Sequence, residues 1–389
     1  MKHLAPLFVL LAACGPGYAT DLTIDTKPIT LLVRAPQLGT GDHTASSVTL
    51  TEIANGATGL LSRPRDLAFN PRVPDELWTV SFNDDSVLVV HDASKDSRRP
   101  VRYKDPFAFH FLEQPSSIAF GADATTIGKP GTFGTCQESR NTYDNMQAHN
   151  DFMGPALWSS DLTVFAQSNP HGLGTHLDML HGSPNCMGIA HEKDNIYWVF
   201  GGKRHSGTAA QRQEPIPALV RYDFGQDHGI GADDHSDGRI WQYADNLVKD
   251  VPGIPSHLVY EQSTKLLWVA DTGNARIATM DTMSGTIGGP LFGQEPLISY
   301  DRMIDATVTT FTTDVTLVRP SGLELFEEFV FVSDNQTSII HAFDKSGVRV
   351  NWIETGLPAG ALSGMAFGPD GKLYFVDMLG NRVLRIDPK

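Results

Sequence analysis

The stretch SGMAFGPDGKLYFVDMLGNRVLRID, from Ser363 to Asp387, decides the fold class of this chain. It predicts three short strands, over Gly364–Phe367, Lys372–Asp377 and Arg382–Ile386. The segments between them, Gly-Pro-Asp-Gly and Leu-Gly-Asn, contain residues that permit tight reversals and positive φ. The stretch is therefore typical of a small antiparallel sheet.

The same pattern occurs in Ser256–Asp281 and Ser321–Asp344. In each copy an Asp closes the middle strand and a second Asp follows ten residues later. These pairs are Asp271 and Asp281, Asp334 and Asp344, and Asp377 and Asp387. Similar starts at Asp66, Ser117 and Met187 bring the total to six repeats. Repeats of this size, built from short strands and turns, indicate a β-propeller.

The middle strands are apolar at nearly every position, as in LLWVA and FVFVS. Such strands suit sheets that are covered on both faces, as the blades of a closed ring are. We therefore predict an all-β, six-bladed β-propeller over residues 46–389, with long loop insertions on one face. The sixth repeat shows only three strands, so a strand near Thr49 is expected to complete that blade.

Two motif groups resemble NHL repeats, a family of six-bladed propellers. The first is Pro255-Ser256-His257-Leu258 followed by the run Val269 to Ile277, and the second runs from Ser363-Gly364-Met365-Ala366 to Asn381-Arg382-Val383. The resemblance is strong over 250–389, fair over 60–92 and weak in repeats two and three, which carry insertions. Propellers of this family include binding scaffolds and enzymes, so the fold does not select a function.

The N-terminal segment MKHLAPLFVLLAACGPGYA has a basic tip, a short apolar run and then small residues. This pattern predicts a secretory signal over 1–13 and is too short to span a bilayer. Leu11-Ala12-Ala13-Cys14 resembles a bacterial lipobox, with Cys14 as the lipid acceptor, and 14–45 is interpreted as a tether. Cleavage after Ala19, which would give a secreted protein, is the alternative. The expected location is the bacterial cell envelope, lipid-anchored.

The chain has 389 residues and a formal charge of −15, which argues against nucleic acid as a partner. The basic run Lys95–Lys104 is interpreted as a solvated connector, with contact to an anionic partner as the alternative. Apart from Cys14, the cysteines are Cys136 and Cys186. In an oxidising compartment such a pair predicts a disulfide, and metal ligation is the alternative.

The large insertions are expected on the face where the chain enters each innermost strand, a clustering typical of a functional face. Eight of the fourteen histidines are assigned to this face: His149, His171, His176, His181, His205, His228, His235 and His257. His191 is placed at the opposite face.

Imidazole and carboxylate groups on converging loops are ligands for Zn²⁺ or similar metals. The candidate metal ligands are His149, His171, His176, Asp178, His181 and His257. His-rich loops are also commonly just polar loops, and no HExxH or other tight ligand spacing is present. The segment 233–238 suggests a Ca²⁺ loop with Asp233, Asp234 and Asp237 as ligands. Ala244 stands at the position where an EF-hand has Glu. A solvated acidic turn is therefore the competing interpretation.

Evidence for catalysis is weak in the sequence. No Gly-x-Ser-x-Gly elbow or phosphate-binding loop occurs. Amidating-lyase propellers carry zinc-binding histidines in Pro-His-x-Leu, but the matching positions here hold one displaced histidine, His257, which argues against the same reaction. We therefore expect a scaffold that binds a protein, peptide or glycan at the envelope. The alternative is a metal-dependent lyase or hydrolase at the top of the axial channel, with Zn or Ca as the metal.

Overall fold

The computed structural model describes residues 34–122, 131–140, 151–168, 172–208, 211–293 and 295–389. After β1 (Val48–Asn55), blade one consists of β2 (Pro64–Phe69), β3 (Leu77–Ser81), β4 (Ser86–His91) and β5 (Arg99–Tyr103). Blade two consists of β6 (Pro115–Phe120), β7 (Thr132–Gln137), β8 (Ala156–Ser159) and β9 (His176–Met179). Blade three begins with β10 (Gly188–Lys193), β11 (Ile196–Lys203), β12 (Pro215–Asp223) and β13 (Arg239–Tyr243).

Blade four consists of β14 (Leu258–Glu261), β15 (Leu266–Asp271), β16 (Arg276–Asp281) and β19 (Val308–Thr312). Two further strands, β17 (Thr286–Pro290) and β18 (Ser299–Ile304), lie between β16 and β19 in sequence but belong to another sheet. Blade five consists of β20 (Pro320–Phe326), β21 (Phe329–Asp334), β22 (Ile339–Asp344) and β23 (Arg349–Glu354). Blade six contains β24 (Leu362–Phe367), β25 (Leu373–Asp377) and β26 (Arg382–Pro388). The helical turns are α1 (Ala108–Phe111) and 3-10 turns at Pro36–Leu38, Ala45–Ser47, Gly56–Thr58, Phe82–Asp84, Gln211–Gln213 and Thr272–Asn274.

The six sheets form a closed ring, which confirms the predicted six-bladed propeller. The innermost strands β2, β6, β10, β14, β20 and β24 contact one another in sequence order, and β24 contacts β2. The strand predicted near Thr49 completes blade six, because β1 pairs antiparallel with β26 from Val48↔Pro388 to Asn55↔Arg382. Apolar clusters fill the spaces between blades, such as the cluster of blades five and six that includes Phe331, Ile340 and Phe375.

In blades four, five and six, an Asp at the end of the middle strand accepts hydrogen bonds from the incoming loop or from the turn that follows. Asp334 accepts hydrogen bonds from the backbone N–H groups of Val318 and Arg319 at 2.6 and 2.7 Å. Asp271 accepts from the backbone N–H of Lys249 and from Arg276, and Asp377 binds Arg382 in the same way. The sequence repeat is therefore a repeat of hydrogen bonds as well as of apolar positions.

Glycines let neighbouring innermost strands approach closely around the axis. A Cβ at Gly364 would collide with the Asp66 carboxylate, and one at Gly322 would collide with the backbone oxygen of Ser363. These contacts explain why a small residue follows serine at the start of the innermost strand in repeats five and six.

A hairpin from the blade-four repeat extends blade three. Its strand β18 pairs in parallel with β13, from Arg239↔Ser299 to Gln242↔Arg302, and β17 pairs antiparallel with β18. Blade three therefore has six strands. No motif in the sequence predicts this hairpin.

The loop insertions do not all open at one end of the propeller. Successive strands within a blade are antiparallel, so a connection between third and fourth strands lies opposite the connection into the innermost strand. The fourth strands β9 and β13 add such connections, one between β8 and β9 and one between β12 and β13. His228 and His235 therefore lie on a connection at the other end from the expected face.

Part of the basic run Lys95–Lys104 forms the outer strand β5, with Pro100 on the blade's open edge and side chains that are mostly exposed. Residues 34–45, which the sequence analysis places in the tether, pack on the propeller: Ala35 and Leu38 are buried, and Asn351 donates hydrogen bonds to the carbonyls of Ala35 and Gly39. Cys14 and residues 1–13 lie outside the described residues. Within the described residues, no helix has the length and apolar character needed to cross a membrane.

The predicted disulfide between Cys136 and Cys186 is formed, with a Cα–Cα distance of 5.3 Å. It joins the end of β7 in blade two to the segment that enters blade three. Both cysteines are fully buried. The alternative role of these thiols as metal ligands is therefore not supported.

Candidate functional site

A layer of side chains, here called the channel cap, closes the end of the axial channel where the innermost strands begin. It consists of Arg65, Glu138, Gly253 and Met378. The Arg65 guanidinium donates to the Gly253 carbonyl and to the Glu138 carboxylate, the latter at 3.1 Å. The other carboxylate oxygen of Glu138 accepts from the Gly253 N–H at 2.8 Å. Because these residues come from four blades, their contacts extend across the channel.

Arg65 is 1% exposed, and burial lowers its pKa to about 10 despite the opposing effect of Glu138. Its guanidinium also lies over the ring of Phe82, at 4.1 Å from the ring centroid. Phe82 occupies the column that holds Asp in the later repeats. In blade one, the Phe82 ring that replaces the Asp therefore packs against the Arg65 guanidinium of the channel cap.

The rest of the channel is an axial cavity of about 500 Å³. All six innermost strands line it, mainly through their second halves, so it lies towards the end where these strands finish. Its apolar wall includes the partly exposed rings of Phe69, Phe120, Phe326 and Phe367. The alternative enzymatic site was expected at the other end of the channel, but the channel cap occupies that end.

Three ionisable side chains in the axial cavity are Asp66, His257 and Glu324. Asp66 accepts from the Leu67 and Ile118 N–H groups and from the Ser117 hydroxyl, at 2.6 to 3.0 Å. His257 Nε2 lies 3.4 Å from Asp66 Oδ1. His191, which the sequence analysis places at the opposite face from the candidate site, also lines this cavity.

Glu324 has few partners. Within the described part of the chain its carboxylate accepts one hydrogen bond, from the N–H of Leu325 at 3.1 Å, and forms no ion pair. Burial raises the pKa of Glu324 to about 8, and the Asp66 carboxylate acts in the same direction. Glu324 is therefore largely protonated at neutral pH and can donate a hydrogen bond, or it can ionise when a cation arrives.

A second group of ionisable side chains, here called the rim cluster, lies at the outer edge of blades two and three. It consists of His181, His235 and Glu295, with Asp178 beside it. His181 Nδ1 lies 2.5 Å from Glu295 Oε2, and the His181 backbone N–H donates to Glu295 Oε1 at 2.8 Å. His235 Nδ1 bonds Asp178 Oδ1 at 2.8 Å, and its Nε2 faces Glu295 Oε2 at 3.8 Å.

Burial dominates the electrostatics of the rim cluster. It lowers the pKa of His181, and it raises the pKa of Asp178 to about 6 against the effect of His235. Burial opposes the charged form of Glu295 as well, but the facing His181 holds the pKa of Glu295 below its usual value. The lowered pKa favours the neutral imidazole of His181, the form that binds metals.

The structure separates the candidate metal ligands into two places. His176, Asp178 and His181 lie on and just after β9, whereas His257 lies in the axial cavity. The His176 ring stacks on Phe111, and its Nδ1 donates to the Leu173 carbonyl at 2.9 Å. His149 and His171 lie outside the described residues.

The acidic loop is organised by hydrogen bonds to its own residues. Asp237 accepts from the Gln226 N–H and lies 2.8 Å from His228 Nε2. Asp234 accepts from the Ser236 N–H, and Asp233 is exposed. The three carboxylates do not form a common cation-binding group in the described part of the chain.

Sequence reasoning did not find Glu295, Glu324 or Arg65. Glu295 lies in the β17–β18 hairpin. The long spacing between repeats four and five is the feature of the sequence that indicates extra structure there. Glu324 and Arg65 lie on predicted innermost strands, where a charged residue in an otherwise buried strand was the available signal. Neither has a distinctive motif around it.

No family model matches the sequence, and no curated protein matches it. Among solved structures, a luciferin-regenerating enzyme aligns with a TM-score of 0.51 at 13% identity, over 87% of this chain and 95% of its own. An auxiliary nutrient binding protein from Bacteroides ovatus aligns with a TM-score of 0.50 at 12% identity, over 88% of this chain and 77% of its own. A gluconolactonase from Xanthomonas campestris aligns with a TM-score of 0.49 at 12% identity, over 91% of this chain and 92% of its own. At these identities the similarity shows the propeller fold alone.

Proposed function

We propose that this protein is a ligand-binding propeller of the bacterial cell envelope whose axial cavity takes a small amine-bearing group, such as the basic side chain or free amino terminus of a peptide. The observation that carries the proposal is the position of Glu324, a carboxyl group in the cavity that has no cationic partner among the described residues.

The size of the cavity supports a small ligand. About 500 Å³ lies within the range of about 300–1,000 Å³ that small-molecule sites occupy. The aromatic rings that line it, including Phe69 and Phe326, provide an apolar surface for the stem of a side chain. A whole folded protein cannot enter such a site, but one residue of a peptide can.

The charge of the cavity supports an amine. Asp66 and Glu324 both contribute carboxyl groups, and the His257 imidazole lies beside Asp66. An ammonium group placed beside Glu324 favours its carboxylate form, so binding at pH 7 releases the proton that the free protein holds. Affinity is therefore expected to rise as the pH approaches 8.

Location at the envelope is part of the proposal. The signal-like segment, Cys14 in its lipobox context and the NHL-like repeats support an exported lipoprotein. The Cys136–Cys186 disulfide is consistent with an oxidising compartment. A lipid on Cys14 would hold the propeller close to the membrane surface.

The test is calorimetric titration with N-acetylated tripeptides that contain either lysine or its uncharged analogue norleucine. The lysine peptide should bind with release of a proton, detected as a dependence of the heat on buffer ionisation, and the norleucine peptide should bind at least about tenfold more weakly. E324Q should lose both the preference and the proton release. E328Q, an exposed change in the same blade, is the matched control. Equal binding of both peptides, binding of neither, or full retention in E324Q would each overturn the proposal.

A lyase or hydrolase is the second candidate, because His257 and Asp66 form a histidine–carboxylate pair in the same cavity. Mass spectrometry of the same peptides after incubation tests it. Product formation by the wild type that is lost in H257Q would support the enzyme, and unchanged peptides would leave binding as the function.

A further inference from the structure

The rim cluster lies apart from the axial cavity, and its members come from three separate segments. His181 follows β9, His235 lies on the β12–β13 connection, and Glu295 lies on the β17–β18 loop. One ligand atom from each residue lies within 4.8 Å of the other two. We propose that the rim cluster is a structural Zn²⁺ site that fixes the β17–β18 hairpin to blades two and three.

The orientation of His235 supports this assignment. Its Nδ1 is held by Asp178 at 2.8 Å, so in the neutral ring the Nε2 lone pair points towards Glu295 Oε2, 3.8 Å away. A metal ion between these two atoms would take the place of the proton that an imidazolium carries there. A carboxylate behind a metal-binding histidine is also the usual arrangement, since it fixes the tautomer and the ring orientation.

The donor set fits zinc. Two imidazoles and one carboxylate are a common set of protein ligands for Zn²⁺, with a fourth position left for water. Ligand atoms about 2.0–2.1 Å from a tetrahedral Zn²⁺ stand about 3.3 Å apart. The observed separations of 2.5 Å from His181 Nδ1 and 3.8 Å from His235 Nε2 to Glu295 Oε2 lie on either side of that value, so small side-chain shifts complete the site.

Burial indicates a structural role. The side chains of His181 and Glu295 are 3% and 4% exposed, and that of His235 is 12% exposed. The His181 ring is stacked on Phe152 with centroids 3.5 Å apart, which limits its movement.

The consequence of metal binding concerns the hairpin. Blade four provides β17 and β18, but they pair only with blade three, and β17 is largely exposed. Glu295 is the residue through which the hairpin loop reaches His181. A metal at the rim cluster would add coordination bonds from three chain segments to the hydrogen bonds between Glu295 and His181.

The test uses the full-length protein, purified without chelators, stripped with EDTA and then titrated with ZnCl₂. Elemental analysis should give one Zn²⁺ per chain before stripping, and Zn²⁺ should raise the melting temperature of the stripped protein. Co²⁺ should give the intense visible absorption of a four-coordinate site. H235Q and E295Q should bind Zn²⁺ at least about 100-fold more weakly, and D178N about 10–100-fold more weakly, since Asp178 orients a ligand.

H228Q is the matched control, because His228 lies on the same connection and bonds Asp237 instead. It should bind Zn²⁺ as the wild type does. The proposal is overturned if the folded wild type takes up no Zn²⁺, or if H235Q and E295Q bind it as tightly as the wild type. H235Q is the decisive variant, since His235 is the most exposed of the three residues and its replacement is least disruptive to folding.

Discussion

Arg65 of blade one donates a hydrogen bond to the carbonyl of Gly253, which precedes blade four on the opposite side of the ring. In a six-bladed ring, blades one and four face each other across the axis. One side chain therefore bridges the channel and closes it at the end where the innermost strands begin. Within the described residues, the axial cavity therefore lies towards the end where the innermost strands finish.

Loss of this bridge should destabilise the propeller. Replacing Arg65 by Met leaves the Glu138 carboxylate, which is 14% exposed, without its cationic partner. Removal of one partner of a buried ion pair costs about 3–5 kcal/mol, so R65M should lower the free energy of unfolding by about that amount. Urea denaturation measures the change. R102A should cost less than about 1 kcal/mol, because the Arg102–Asp84 pair is exposed. Similar costs for the two variants would contradict a special role for Arg65.

Reduction of the disulfide should lower stability by about 4 kcal/mol. Cys136 and Cys186 are 50 residues apart in sequence, and closing a loop of that length restricts the unfolded chain. We expect the denaturation midpoint of the wild type to fall in the presence of a reductant. The double variant C136A/C186A should denature at the same lower midpoint with or without reductant. A wild-type midpoint that does not respond to complete reduction would disagree with this expectation.

Glu324 should make the protein less stable as the pH rises from about 4.5 to 8. Its pKa in the folded state is raised to about 8, so over this range the folded chain keeps a proton that the unfolded chain loses. The stabilisation is complete below the unfolded pKa and is lost as the pH rises through the folded pKa. After allowance for contact with water in the channel, the effect should be about 1–2 kcal/mol. E324Q should flatten this part of the stability–pH profile, and E328Q should not.

His341 should act in the opposite direction, as the pH falls. It is fully buried in blade five, and burial lowers its pKa to about 4. Stability from the neutral ring is present above the unfolded pKa near 6.5 and is lost as the pH falls through the folded value. We expect a loss of about 2–3 kcal/mol between pH 6.5 and 4. Thermal unfolding of H341Q, which keeps a neutral polar side chain, should show a smaller loss. An equal loss in both proteins would assign the acid sensitivity to other groups.

The repeat in the sequence predicts the blades because it records contacts that every blade needs. The Asp at the end of β15 and of β21 accepts backbone hydrogen bonds from the incoming loop, whereas the Asp at the end of β25 accepts from the turn that follows it. The apolar middle strands are buried. Closure by β1 was also predictable, since the sixth repeat shows only three strands and a candidate strand near Thr49 remains to complete it. These features follow from local hydrogen bonding and burial.

The candidate sites were less predictable because they depend on where irregular segments return. The outer strand β5 is basic and exposed, so its sequence gives no apolar alternation. The fourth strands β9 and β13 reverse the chain once more than expected, which places His235 on a connection at the other end of the propeller. Glu295 then approaches His181 only through a hairpin that pairs with a blade other than its own. No spacing rule links these three residues.

The pairing of β1 with β26 has a consequence for how the protein is made. The ring stays open until β26 has left the ribosome and, if the chain is exported, has crossed the membrane. Until then β1 and the outer edge of β25 are unpaired strand edges, which are prone to pairing with other chains. Pairing of β26 with β1 and β25 therefore completes the propeller. A chaperone that binds the chain during export would protect these two strand edges.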